Sequence, residues 1–315
     1  MKIYITIDGG TTNTRVNLVI DRKIIATKKI SRGARAGIDD KEGLKIALHN
    51  AIAELLAEHN LKESDLNKIL ASGMITSEFG LVELPHLCAP VGIRELHDSM
   101  SEISFPEISS APIVFVRGIK VNSQNLCDFD MMRGEETELM GINALCHLEG
   151  SSDRIYILPG SHSKIIRTDS EGRIVSFATT LTGEMLMTLS QNTILKDAVD
   201  ITLDGYDETQ LINGCRFALE EGINKALFKV RILKNAFKAS PLEVYSFFVG
   251  VVLSDEISNI LSDSCREVVL GGKHQIKEAT AILLRALSDK IVTVLSDESV
   301  AASTSIGAIS IFELI

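Results

Sequence analysis

Hydrophobic residues alternate at the start of the chain. Ile3, Ile5 and Ile7 stand one residue apart, and the alternation resumes at Val16, Leu18 and Ile20. A period of two belongs to a strand, whose successive side chains face opposite sides of a sheet. Asp8, Gly9, Gly10, Thr11, Thr12 and Asn13 lie between the two runs, so the first expected element is a hairpin. Asp21-Arg22 reads as a tight turn and residues 23–30 as a third strand. The period then changes. Leu44, Ala47, Leu48, Ala51, Ile52, Leu55 and Leu56 recur at intervals of three and four, which predicts a helix over 41 to about 59. Strands are expected at 68–72 and 111–116, and helices at 91–100 and 135–145.

The order of elements then restarts. Residues 154–158, 164–168 and 173–179 read as three strands joined by tight turns. A largely helical stretch follows from 183 to about 263, with helices over 208–219 and 241–261. Ser240-Pro241 has the order that favours a helix start. A strand at 267–270 ends in Gly271-Gly272, a helix covers 273–287, a short strand 291–294, and a closing helix 299–312. Twice the chain gives three strands and then alternating helices and strands. The polar stretch 147–153 is the expected joint, which divides the chain into 1–148 and 149–315. Two such units facing each other across a cleft resemble the actin-like ATPase and sugar-kinase fold, an α/β class built of two ribonuclease-H-like domains. In that fold each half offers one hairpin tip to the nucleotide phosphates.

Length agrees with two domains, because 315 residues exceed the ~250 at which single cores stop growing. A net charge of −10 argues against nucleic acid or an anionic membrane as the main partner. The five cysteines are scattered, with no C-x-x-C pair, as expected of reduced thiols in a cytosol. Asp8 interrupts any apolar leader, and the apolar run 244–253 is too short to span a bilayer, so a soluble cytoplasmic protein is expected. A homodimer stays open.

The candidate chemistry lies in the turns. At the first tip, Gly9 and Gly10 let backbone N–H groups approach phosphate oxygens, and Thr11 and Thr12 can donate to them. Asp8 can hold Mg²⁺ through water. An ordinary hairpin with a polar turn accounts for the same residues. Residues 131–141 (M-M-R-G-E-E-T-E-L-M-G) place Glu135 and Glu136 at a helix start. There a carboxylate either complements the helix dipole or acts as a base toward an attacking hydroxyl. Position favours Glu135 as the base, with Glu136 and Asp130 as the alternatives; Glu136 and Arg133 are candidate substrate contacts, and Arg133 can instead tune the base.

At the second tip, residues 158–164 (L-P-G-S-H-S-K) offer Gly160, Ser161, His162, Ser163 and Lys164. Lys164 or His162 could balance charge that develops on a γ-phosphoryl group. Thr182 and Glu184 open a helix expected to point at the same cleft. Gly271, Gly272 and Lys273 form a strand-to-helix turn against which an adenosine can lie. Arg32, in the loop after the third strand, is the candidate to grip an acceptor carboxylate. Neither a P-loop nor a G-x-G-x-x-G fingerprint is present.

Five blocks in this order resemble the 2-dehydro-3-deoxygalactonokinases. They are I-D-G-G-T-T-N-T-R (7–15), S-G-M-I-T-S (72–77), M-R-G-E-E-T-E-L-M-G (132–141), L-P-G-S-H-S-K (158–164) and T-G-E-M-L (182–186). The resemblance runs along almost the whole chain. It implies Mg²⁺ and ATP as cofactors, and phosphorylation of the 6-hydroxyl of 2-dehydro-3-deoxy-D-galactonate in galactonate catabolism. A kinase for another 2-keto-3-deoxy sugar acid or a hexose is the rival, and a non-catalytic sugar-responsive regulator is a third reading. The chain departs from the family's pattern in three places. It has Asp8-Gly9-Gly10 for Asp-Trp-Gly and no tryptophan at all, Ile165 for a Trp, and Gly272-Lys273 for Gly-Asp.

Overall fold

The computed structural model describes residues 1–34, 40–148, 152–272 and 274–314. They form two compact units, Met1–Ser151 with Asp169–Ser176 and Glu298–Ile315, and Ser152–Thr168 with Phe177–Asp297.

The first unit begins with β1 (Ile3–Gly9), β2 (Thr14–Ile20), β3 (Lys23–Ile30), α1 (Lys41–Glu58) and β4 (Lys68–Gly73). It continues through β5 (Leu87–Cys88), α2 (Ile93–Asp98), β6 (Ser101–Ile103), β7 (Ile113–Phe115), β8 (Ile119–Val121), β9 (Asp130–Met132) and α3 (Glu135–Cys146). Six strands make one sheet in the order β3-β2-β1-β4-β7-β6, and β5-β8-β9 make a smaller one. The Asp21-Arg22 turn joins β2 to β3 with both residues at positive φ (47° and 63°), the twist that suits a two-residue hairpin. β1 pairs antiparallel with β2 and parallel with β4, so the ends of β1 and β4 lie side by side, with Gly9 opposite Gly73.

Asp40 caps α1 by accepting from the Gly43 N–H at 2.7 Å. The helix buries Leu44, Leu48, Ala51, Ile52, Leu55 and Leu56 against the sheet's apolar side. Each such Leu or Ile contributes roughly 1.5–3 kcal/mol of transfer free energy.

The second unit is built on β10 (Arg154–Leu158), β11 (Ser163–Thr168) and β12 (Ile174–Thr180), then α4 (Thr182–Asn192), α5 (Glu208–Glu221), α6 (Ile223–Asn235) and α7 (Pro241–Ser262). β13 (Glu267–Leu270), α8 (His274–Leu287) and β14 (Ile291–Val294) complete a sheet in the order β12-β11-β10-β13-β14. Ser240 and Glu243 form a capping box at the start of α7, with Pro241 in the first turn. α7 is long and apolar enough to cross a membrane by length and composition, although the run 244–253 alone is not. Its most apolar 18-residue window is 78% buried, and residues such as Phe248, Leu253 and Ile257 form the centre of this unit's core. A helix that is apolar nearly all round belongs inside a protein core.

The closing helix α9 (Asp297–Glu313) belongs to the first unit by its contacts, whereas the two-block reading of the sequence counts it with the second half. It is held by Thr6 Oγ1 against Ser305 Oγ (2.7 Å), Tyr4 Oη on Glu313 (2.7 Å) and the edge-to-face pair Tyr4–Phe312. A Cβ on Gly307 would lie 1.8 Å from the Thr137 carbonyl, and one on Gly141 would lie 1.7 Å from that of Ser303. α3 and α9 therefore touch backbone to backbone. In the second unit α5 and α7 cross in the same way, through Gly214 and Gly250.

Candidate active site

In the first unit the Gly9-Gly10 tip closes with the Gly10 N–H donating to the Asn13 carbonyl at 2.9 Å. Thr11 and Thr12 are exposed at its end. Three backbone segments meet beside it. A Cβ on Gly73 would lie 2.5 Å from the Gly9 carbonyl, and one on Gly134 would lie 3.2 Å from Gly73 Cα. Gly134, at φ 112°, then turns the chain into α3. This packing draws the hairpin and the start of α3 together, which places Asp8 and Glu135 within each other's electrostatic reach. Gly33 presses on the same tip, since its Cβ would lie 2.4 Å from the Gly10 carbonyl.

Asp8 faces Arg15 across the hairpin at 3.6 Å. Burial pushes the Asp8 carboxyl up, Arg15 opposes the shift and Glu135 adds to it. Glu138, one turn into α3, is also drawn in. Burial, with the charges of Glu135 and Asp8, pushes its carboxyl up to about 8. Sequence reasoning passed over Glu138, although its place three residues after Glu135 puts it on the same helix face.

Glu136 turns the other way. It is fully buried, and both its oxygens accept from the Gly134 N–H, at 2.9 and 2.8 Å. Burial first, and then Glu135, push it up to about 8. The expected substrate contact of Glu136 is therefore replaced by a capping role inside the core.

Arg133 is held by Thr76 Oγ1 at 2.8 Å and the Leu84 carbonyl at 2.7 Å, with its Nη2 3.4 Å from His86 Nδ1. Burial, with Arg133 and then Lys120 nearby, pushes the His86 imidazole down to about 4. A neutral ring leaves Nδ1 free to accept from the guanidinium. Arg32 is tied to Asp40, the cap of α1, and its carbonyl accepts from Thr14 Oγ1 at 2.8 Å.

In the second unit, the turn between β10 and β11 is clasped from two sides. A Cβ on Gly183 would lie 2.1 Å from the Gly160 carbonyl, and one on Gly272, at φ 73°, would lie 2.4 Å from the Pro159 carbonyl. The Glu184 N–H donates to the Ser161 carbonyl (3.2 Å), and His162 Nε2 pairs with Glu184 Oε1 (3.0 Å). Gly271 donates its N–H to Ile157 at 2.9 Å. Ser161 and His162 are exposed at the tip, whereas Ser163 and Lys164 are buried, with Lys164 Nζ 3.5 Å from the His162 carbonyl. Thr182 is 3% exposed and its hydroxyl donates to Glu256, so the side chain expected to meet substrate is held in the core of its own unit. Lys273 lies outside the described residues.

No cluster of three or more His, Cys, Asp or Glu with metal-holding geometry occurs among the described residues. Magnesium commonly binds through one or two carboxylates, phosphates and its own waters, so Asp8 with a bound nucleotide suits it better than an all-protein cage would. Two pockets, of about 500 and 510 Å³, lie away from both tips, one lined by Lys196, Lys234 and Val244, the other by Lys2, Arg22 and Glu313. The second pocket's cations are already taken up, since Glu313 binds Lys2 at 2.6 Å and Arg22 at 3.3 Å.

The model of the 2-keto-3-deoxy-galactonokinase family matches residues 8–306. The chain belongs to that family. Membership makes it a carbohydrate kinase. A probable 2-dehydro-3-deoxygalactonokinase of Rhizobium meliloti (strain 1021) is 28% identical over 197 residues, covering 62% of this chain and 59% of that protein. The 2-dehydro-3-deoxygalactonokinase of Escherichia coli (strain K12) is 24% identical over 262 residues, covering 82% of this chain and 80% of that protein. A Sinorhizobium meliloti crystal structure bearing the same kinase name superposes with a TM-score of 0.79 at 24% identity, over 98% of this chain and 99% of its own. The family's fold, two ribonuclease-H-like units each opening on a three-stranded meander, is the fold of this chain.

Proposed function

We propose that the chain transfers the γ-phosphoryl group of ATP to the 6-hydroxyl of 2-dehydro-3-deoxy-D-galactonate, in galactonate catabolism. The observation that carries this reading is the convergence of Gly9, Gly73 and Gly134, which sets a carboxylate at the start of α3 beside the acidic end of a glycine hairpin. Residues 1–148 supply the first phosphate tip and the acceptor side, and residues 149–315 the second tip and the adenosine side, with Gly271 and Gly272 as its floor.

Glu135 is the base that takes the proton from the attacking hydroxyl. Thr11, Thr12, Ser161 and His162, exposed on their tips, donate to phosphate oxygens, while buried Lys164 offsets negative charge from within the second unit. Asp8 would hold Mg²⁺ through its waters, and the ion would draw charge from the phosphates when bound with ATP. An acidic protein of net charge −10 needs a cation for a sugar acid, and Arg32 and Arg133 are the two candidates. Free cysteines, among them exposed Cys88 and Cys127, support a reducing, cytoplasmic setting.

Product analysis tests the reading. With Mg-ATP and 2-dehydro-3-deoxy-D-galactonate, phosphorus and carbon NMR should place a phosphomonoester on C6. A product phosphorylated elsewhere, or ADP release that does not depend on the sugar acid, would refute it.

A further inference from the structure

Glu256 is a carboxylate in the middle of α7, 1% exposed and otherwise surrounded by that helix's apolar core. Burying such a group costs several kcal/mol unless partners compensate it. Its partners are specific. Thr180, the last residue of β12, and Thr182, in the first turn of α4, both donate their hydroxyls to Oε1 and lie 2.9 Å apart. Oε2 has no hydrogen-bond partner among the described residues. α4 starts at Leu181 without any side-chain cap, so the buried carboxylate stands where the helix dipole favours a negative charge.

The corner that Glu256 holds is also the one that clasps the second tip. Gly183 has no room for a Cβ beside the Gly160 carbonyl, the Glu184 N–H binds the Ser161 carbonyl, and Glu184 Oε1 holds His162. The core helix α7 is thus linked in two steps to the backbone at 160–162. We infer that Glu256 is a positioning residue, fixing the 180–184 corner so that Gly160, Ser161 and His162 keep the geometry needed to meet nucleotide phosphate. The inference rests on the assignment of that tip to ATP, and it adds a residue remote from the tip in sequence. A loose tip loses nucleotide contacts without touching the acceptor's.

The test is steady-state kinetics of Glu256→Ala and Glu256→Gln, with thermal melting of each. Glu256→Ala should raise the ATP KM about 10-fold and leave the acceptor KM within about twofold. Glu256→Gln keeps a carbonyl oxygen for the two hydroxyls and should stay near wild type. If Glu256→Ala does not fold, Thr180→Val, which removes one of the two donors, should shift the ATP KM in the same direction by less. A folded Glu256→Ala with unchanged ATP KM, an equal rise in both KM values, or a Gln variant as impaired as the Ala variant would overturn the inference. So would an unchanged ATP KM in Thr180→Val. Wild-type enzyme that turns over no sugar acid would instead refute the kinase reading itself.

Discussion

Three neighbouring residues at the start of α3 sit in three different surroundings, and the backbone decides which. Gly134 turns the chain into the helix, Glu135 lies within electrostatic reach of Asp8, and Glu136 folds back onto the Gly134 N–H. In the proposed mechanism the base is Glu135. Glu135→Gln should lower kcat by ~10²–10⁴-fold with ATP affinity little changed, measured by ADP release and nucleotide titration. Activity within a few-fold of wild type would remove Glu135 from the role. Arg32 is a harder case, because Asp40 already binds its guanidinium. If that guanidinium is shared with a substrate carboxylate, Arg32→Ala should raise the acceptor KM strongly and the ATP KM little. Equal effects on both, or none, would leave the carboxylate to Arg133.

His86 adds a pH effect at the same scale. Its folded pKa is pushed down to about 4, below the ordinary ~6.5, so the unfolded chain binds the extra proton first as pH falls. Stability should be fully present above pH ~6.5 and fall as pH drops toward ~4, by no more than about 3 kcal/mol from this residue. Urea melts of wild type and His86→Asn across that window check it, and the mutant should show the shallower slope. Parallel slopes would mean that His86 is not the titrating group.

Among elements, β3, β10, β13 and β14 lie where the alternation of the sequence puts them, and α1 differs only at its last residue. Long, strongly periodic segments announce themselves. The strands β5, β6, β8 and β9, of two or three residues each, do not, because a period of two cannot be read from so few positions. α6 lay unmarked within the helical stretch. The burial of Glu136 and Thr182 was also illegible, since a capping carboxylate and a catalytic one look alike in sequence. The glycines were legible as turns at 9–10 and 271–272, but their other use, backbone contact between helices, depends on partners far along the chain. Gly307→Ala tests that use. Helix propensity alone would favour Ala by ~1 kcal/mol, yet the contact with Thr137 should make the net change destabilising by ~2–3 kcal/mol. Gly172, whose Cβ would meet nothing, is the control and should cost about 1 kcal/mol for its positive φ. Equal melting of the two variants would contradict the close packing of α3 on α9.

For the whole molecule, two units repeat one plan with little shared sequence, and family membership says that the plan serves a carbohydrate kinase. The blocks that resemble the family lie on the two tips, at the end of β4 and at the starts of α3 and α4, so phosphate chemistry was easier to read than the acceptor. The central claim concerns that acceptor. The most direct test is to compare kcat/KM for 2-dehydro-3-deoxy-D-galactonate with that for neutral hexoses, following ADP release at saturating Mg-ATP. A site that binds the sugar acid's carboxylate should favour it by roughly 100-fold or more. Neutral hexoses turned over as well as the sugar acid would contradict the account.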